Sequence, residues 1–217
     1  MARRVAHEIK NPLTPIQISA AALARDPRPN VVEASTIILE EVKRLDELAR
    51  SFAQLGRLPE GPGAPVDIVE LLQGLAARHS GPELSIGVDA EGTIPLVPGH
   101  HEALVRVFRN LIGNAGEAMG RGAVDAQDAG TPHIEAQVTL TPGGVVVRVM
   151  DRGPGFSEEA LEALWDPEFT TKLGGTGIGL SLVKGTIEAH GGSVVADNRE
   201  GGGACVTVTL PVRGEED

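Results

Sequence analysis

Tyrosine is missing from this 217-residue chain, tryptophan and cysteine occur once each, and aromatic residues make up only 2%. So few rings leave no stacking platform for a strand of nucleobases. The single cysteine, Cys205, excludes an internal disulfide and a cysteine-cluster metal site, and its setting in ACVTVTL reads as a buried strand position with an inert thiol. There is no run of about 18 apolar residues. The opening MARRVAHEIK carries neither an apolar signal-peptide core nor a cleavage site. The expectation is a chain that neither spans a membrane nor is exported. An excess of positive charge is also missing. The net charge is −11, split as about +2 over residues 1–58 and −13 over 59–217. A region this acidic repels polyanions, which argues against nucleic-acid binding, although local dipoles and a divalent cation can still hold one small phosphate ligand.

What is abundant is punctuation. With 28 glycines, 15 prolines and 41% hydrophobic residues, the chain has material for one good core and a smaller element beside it. In residues 1–25 the apolar positions Val5, Ile9, Leu13, Ile16, Ala20 and Leu23 fall within about 80° of arc at helical periodicity, so the spacing predicts an amphipathic helix. DPRPN at 26–30 forces a turn, because each proline fixes its own φ and biases its predecessor away from helix. A second helix follows, in which Ile38, Leu45 and Phe52 repeat every seventh residue with Leu48 and Leu55 beside them, until Gly56 ends the pattern. Two helices cannot bury both stripes alone. Two copies of the hairpin forming a four-helix bundle, hence a homodimer, is the expected solution, and a hairpin folded back on the rest of its own chain is the alternative.

LPEGPGAP at 58–65 has linker composition, so the expected organisation is 1–57 as a dimerisation region, 58–65 as linker, 66–213 as a second domain and 214–217 as a tail. Periodicity in the second domain predicts helices at 67–79, 100–119, 158–164 and 177–190. It predicts strands at 83–89, 94–97, 133–140, 144–150, 194–198 and 204–210, with TPGG at 141–144 as a hairpin turn. That mixture describes an α+β chain whose second domain is an α/β sandwich, one mixed sheet with helices on one face.

On the first helix His7 lies roughly 200° from Val5, opposite the apolar stripe, near Asn11 and Thr14. It therefore faces solvent, where an imidazole nitrogen can act as a nucleophile. Glu8 is placed to take the Nδ1 proton, leaving Nε2 with a free lone pair, and Pro12 leaves the Glu8 carbonyl without its helical donor. Further on, Asn110 and Asn114 in RVFRNLIGNAGEAM are one turn apart on one helix face, and their carboxamide oxygens suit Mg²⁺. DRGPGF at 151–156 puts Asp151 at the end of an apolar strand, with Gly153 and Gly155 in a sharp turn. There Asp151 either accepts a proton from an exocyclic amine such as adenine N6 or closes an Asx turn. GGTGIGLSLVKGTIEAHGG at 174–192 sets Gly174, Gly175, Gly177 and Gly179 ahead of a helix whose N-terminus suits phosphate.

These segments taken together carry a resemblance. HEIKNPLTPIQ resembles the H-box of sensor histidine kinases, and its LTPIQ extension is most similar to the nitrogen-responsive, NtrY-like group. The later segments resemble, in order, the N, G1, F and G2 boxes of the histidine-kinase ATPase (Bergerat) fold, which DNA gyrase B, HSP90 and MutL share. The resemblance implies that His7 is the phosphoacceptor, Glu8 its acid/base partner, and Asn11 the residue that orients a water for dephosphorylating a bound response regulator. It also implies a Mg²⁺-ATP site. There Asn110 and Asn114 hold metal and phosphate, Asp151 reads adenine, Gly153 and Gly155 shape the floor, and Gly175, Thr176, Gly177, Gly179 and Leu180 line the lid and phosphate side. Phe169 to Lys172 match the F-box, with Lys172 reaching the γ-phosphate. The expected partners are a second copy, ATP and a receiver domain. The expected location of this part is cytoplasmic, within a longer parent that a membrane segment can anchor, since Met1 stands six residues before His7.

Three departures from the family pattern stand out: Glu168 ahead of Phe169, a short lid between Phe169 and Gly175, and Ala204 where relatives carry Ser or Thr. ATP-driven clamps of the same fold place a general-base glutamate where this chain has Asn110. An amide is a poor base, which favours a protein acceptor over water. A nucleotide-binding scaffold without transfer is the remaining alternative.

Overall fold

The structure, a computed structural model, describes residues 2–25, 28–54, 63–82, 84–120, 133–167, 169–170 and 177–212. Within helices, the side chains of 2–12, 29, 43–44 and 46–54 lie outside that description. Two compact units emerge, 1–55 with 167–179, and 56–166 with 180–217.

In the first unit, α1 (Ala2–Leu23) and α2 (Pro29–Gln54) pack against each other. α1 runs through Pro12 and Pro15 and ends on the Ala24 N–H bond to the Ala20 carbonyl, 2.9 Å. α2 starts at Pro29, where a missing N–H is no loss, and the Arg28 carbonyl accepts from Val31 and Val32 at 3.0 and 3.1 Å. Leu13, Ala20 and Val42 are buried between the helices, as is Ser35, whose hydroxyl donates back to the Val32 carbonyl at 2.8 Å. Ile16, Leu23, Ile38 and Leu45 remain exposed, so of the six predicted stripe residues whose side chains are described, four are left on the surface of a single hairpin and only Leu13 and Ala20 are buried. Pro15, Ile16, Ser19, Ala20, Leu23 and Ile38 line a groove of about 280 Å³ there.

The second unit starts with β1 (Ala64–Val66), followed by α3 (Ile68–His79), β2 (Ser85–Ala90), β3 (Val97–Gly99), α4 (His101–Gly120), β4 (His133–Thr141) and β5 (Gly144–Met150). Then come α5 (Glu158–Ala163), α6 (Gly179–Ala189), β6 (Ser193–Asn198) and β7 (Ala204–Leu210). Five strands form one mixed sheet in the order β2-β4-β5-β7-β6, in which only β2 and β4 are parallel. Leu72 and Leu75 of α3, Leu104, Phe108 and Ile112 of α4, and Val183 and Ile187 of α6 pack with Ile134, Val138, Val147, Val208 and Leu210 from the sheet. This is the predicted sandwich. Asp67 caps α3 by accepting from the Glu70 N–H at 2.9 Å.

Two details differ from the sequence reading. β1 and β3 form a separate antiparallel pair, with Pro65 opposite Pro98. Neither proline can donate, so this pair is confined to a non-hydrogen-bonded position between Ala64↔Gly99 and Val66↔Val97, and Pro/Gly composition hides such a ladder. Cys205 is only half-buried, because Ala204, Val206, Val208 and Leu210 take the core-facing positions of β7 and alternation turns Cys205 outward. Among the described residues no helix is long and apolar enough to cross a membrane, and no three His, Cys, Asp or Glu side chains gather as metal ligands.

Candidate functional site

The periodicity of α4 determines which of its residues can face a ligand. Leu104, Val107, Phe108, Leu111, Ile112, Ala115 and Met119 are buried, and they turn Asn110 and Asn114 to the border of that face, where both are half-buried. Ala118 continues the same line one turn further. Gly153 lies against it: a Cβ at Gly153 would sit 3.0 Å from the Ala118 Cβ and 3.2 Å from its carbonyl carbon. The turn after β5 is thereby seated on the asparagine-bearing side of α4.

Asp151 directly follows β5 and is buried, with 5% exposure. Its Oδ1 accepts from the Gly153 N–H at 2.8 Å, which is the Asx turn, and also from the Ala204 N–H at 3.1 Å. The Asp151 N–H donates to the Ala204 carbonyl at 3.0 Å. Among the described residues nothing donates to Oδ2, so one carboxylate oxygen is committed to the fold and the other retains its acceptor capacity. Turn closure and ligand recognition are thus compatible in one side chain. Gly203, with φ +98°, is required here, because a Cβ on it would collide with the Asp151 carbonyl oxygen.

Sequence reasoning passed over a second group of residues. Arg199 donates from Nη1 to the Asp151 carbonyl at 3.2 Å and from Nη2 to Glu135 Oε2 at 3.4 Å, and Arg152 approaches Glu135 Oε1 at 3.6 Å. Asn198 accepts from the Phe156 N–H at 2.7 Å and donates to the Phe156 carbonyl at 2.8 Å. Gly155, φ +74°, wraps so closely around this amide that a Cβ on it would lie 2.5 Å from Asn198 Oδ1. The sequence signal at this site was only a polar cluster after a strand, which composition assigns to a turn.

The remaining candidates are placed unevenly. Gly177 has φ +66° and precedes α6, which opens at Gly179, where a Cβ would meet nothing within 4 Å. Leu180 packs on the core. Phe169 is half-buried and Thr170 exposed. Lys172, Gly174, Gly175, Thr176 and Glu168 lie outside the described residues. His7, Glu8 and Asn11 fall within α1, but their side chains lie outside the described residues as well. The loop that carries Asp151, Gly153 and Gly155 therefore meets α4 at Ala118, on the helix line that also bears Asn114 and Asn110.

At the far end of α4 and α6, His190 is held as a neutral ring. Its Nδ1 donates to the Thr186 carbonyl at 2.7 Å and its Nε2 accepts from the His100 N–H at 3.1 Å. Burial lowers its pKa, against a raising effect of the Thr186 bond, with neighbouring His100 lowering it further.

Comparison with known proteins matches two families. Residues 99–214 match the histidine kinase-, DNA gyrase B- and HSP90-like ATPases, and residues 1–61 match the His Kinase A (phospho-acceptor) domain. The chain is 32% identical over 219 residues to the sensor histidine kinase ZraS of Escherichia coli strain K12, covering 98% of this chain and 45% of that protein. It is 30% identical to the nitrogen regulation protein NtrY of Azorhizobium caulinodans, covering 99% and 29%. Identity is also 30% to the sensory histidine kinase/phosphatase NtrB of Rhodobacter capsulatus, covering 100% and 62%. The chain spans less than half the length of the ZraS and NtrY relatives. Among solved structures it resembles full-length ShkA in complex with AMPPNP, TM-score 0.74 at 22% identity, covering 98% of this chain and 46% of that one. It also resembles histidine kinase ThkA in complex with the response regulator TrrA, TM-score 0.67 at 24% identity, covering 99% and 61%. At those identities the structural likeness speaks for the fold.

Proposed function

The chain belongs to the sensor histidine kinases, a phospho-acceptor region followed by the ATPase fold, and from that premise we propose that it phosphorylates its own His7 from ATP and passes the phosphoryl group to a response-regulator aspartate. The observation that carries the nucleotide half of this reading is Asp151, a buried carboxylate with Oδ1 fixed by Gly153 and Ala204 and nothing described donating to Oδ2. Such an oxygen is an acceptor pre-aimed at an exocyclic amine such as adenine N6.

Two half-buried carboxamides one turn apart fit a hard divalent cation, because their oxygens coordinate without cancelling its charge. Asn110 and Asn114 would hold Mg²⁺, which supplies charge neutralisation to the phosphate oxygens when bound. The other steps belong to the chain. His7 Nε2 attacks the γ-phosphorus, the bond from that phosphorus to the β,γ-bridging oxygen breaks, and ADP leaves with the electron pair. Glu8 takes the Nδ1 proton, so the phosphorylated ring is uncharged until the aspartate carboxylate attacks in turn. By the family resemblance Gly175, Thr176, Gly177 and Gly179 would line the phosphate side and Lys172 would meet the γ-phosphate, while Leu180 packs on the core. Positioning and charge neutralisation supply the catalysis. Asn11, one turn from His7, would orient water for dephosphorylating the regulator.

The exposed Ile16, Leu23, Ile38 and Leu45 support a homodimer through the hairpins, and sedimentation showing only monomer at tens of micromolar would contradict that. The catalytic reading predicts acid-labile, base-stable labelling by [γ-³²P]ATP that His7→Gln abolishes and Asn114→Ala strongly reduces. Undiminished labelling of His7→Gln would defeat it.

A further inference from the structure

The segment from Asp151 to Phe156 is gripped at both ends by the β6–β7 hairpin. Its first end is held three times over, by the Asp151 N–H to Ala204, by Oδ1 from Ala204 and by Arg199 on the Asp151 carbonyl. For the backbone of its other end the described hydrogen bonds come from one side chain, the Asn198 carboxamide, which serves both the N–H and the carbonyl of Phe156. Asn198 is an exposed residue at the end of a strand, where nothing in the packing calls for an amide. A carboxamide offers a donor and an acceptor side by side, and here it pairs with Phe156 as a neighbouring strand would. Between the two grips Gly153 is bonded to Asp151 Oδ1 and seated on Ala118, so beyond it the course of the stretch, through the freely rotating Gly155, depends on the Phe156 end. Gly155 has φ +74° and is moulded onto Asn198 Oδ1.

We propose that Asn198 is a positioning residue for base selection, holding the Phe156 end of the loop so that the surface beside Asp151 accepts adenine in preference to guanine. This rests on the reading of Asp151 as the contact to the adenine amine. A guanine presents a carbonyl oxygen where adenine presents that amine, so it meets a carboxylate with like polarity. The discrimination holds only while the loop keeps the ring in register with Oδ2.

The test is competition of ATP and GTP against a fluorescent trinitrophenyl nucleotide on the whole chain, with melting temperatures recorded alongside. Wild type should favour ATP, and Asn198→Ala should narrow the ATP-to-GTP preference by about tenfold, roughly the worth of one hydrogen bond in a preorganised site. Asn198→Asp, which keeps an acceptor for the Phe156 N–H and loses the donor to its carbonyl, should fall between. A residue that only stabilises the fold would lower the melting temperature and weaken both nucleotides in parallel. That result, or an unchanged preference, would overturn the proposal while leaving the adenine reading intact. Failure of both variants to fold would likewise mark Asn198 as structural and overturn it. A wild type that binds nucleotide without preferring ATP would overturn the reading of Asp151 itself.

Discussion

Three consecutive glycines after β6 provide an internally controlled experiment. Gly201, Gly202 and Gly203 have φ of +88°, +99° and +98°, so an alanine at any of them meets the same backbone penalty, about 1–2 kcal/mol. Their surroundings differ. A Cβ at Gly201 or Gly202 would meet nothing within 4 Å, whereas at Gly203 it would collide with the Asp151 carbonyl oxygen and stand 3.0 Å from the Arg152 Cα. These are backbone atoms and cannot swing aside. Relief requires the hairpin to withdraw from the loop, which breaks the two bonds between Asp151 and Ala204, each worth about 1 kcal/mol. Gly203→Ala should therefore be less stable by roughly 3–4 kcal/mol, against roughly 1–2 for Gly201→Ala or Gly202→Ala. At about 2–4 °C per kcal/mol for a chain of this size, calorimetry or urea unfolding resolves the gap. ATP affinity, measured well below the melting temperature, should drop in Gly203→Ala and hold in the other two, because only the first displaces Asp151. Equal stability across the three variants would refute the claim that this close approach fixes the site.

Asp151→Asn should keep the Asx turn and the Ala204 bond, since an amide oxygen still accepts both, and so melt within about 1 kcal/mol of wild type. It should bind ATP more than about tenfold less tightly, because an amide NH₂ then faces the adenine amine; calorimetric titration checks both halves. Lowered by burial, the pKa of His190 makes the unfolded chain the stronger proton binder below the ordinary histidine value. Stability from this ring should be complete above about pH 6.5 and fall as pH drops toward the folded value, with His190→Gln showing a flatter urea-unfolding profile between pH 5 and 7.5. Ile38→Glu, at an exposed apolar position on α2, should weaken self-association in sedimentation without shifting the melting of the ATPase region.

Periodicity carried the sandwich from sequence to structure because helices such as α4 and strands such as β4, β5 and β7 bury every residue that their repeat places inward. Candidates defined by local spacing were legible for the same reason. Asn110 and Asn114 share a helix face whatever else the chain does, and a D-x-G after an apolar strand already implies the Asx turn that Asp151 makes. The β1–β3 ladder was illegible because its prolines and glycines are the usual signs of a linker, and strand 94–97 was displaced to 97–99 in consequence.

The clamp on the loop was illegible for a different reason. Asn198 meets Phe156 across 42 residues and Arg199 meets Asp151 across 48, and no local pattern encodes partners so far apart. Each looks, in its own neighbourhood, like an ordinary turn residue. Gly155 and Gly203 are glycines twice over, for their own positive φ and for what lies across from them, Asn198 Oδ1 and the Asp151 carbonyl, and only the first reason can be read from a local turn. The motif D-R-G-P-G is thus one half of a clamped loop whose other half is N-R-E-G-G-G. A substitution in either half should be read by its effect on the shared surface: loss of ATP preference from Asn198, loss of both stability and binding from Gly203, and loss of binding alone from Asp151→Asn.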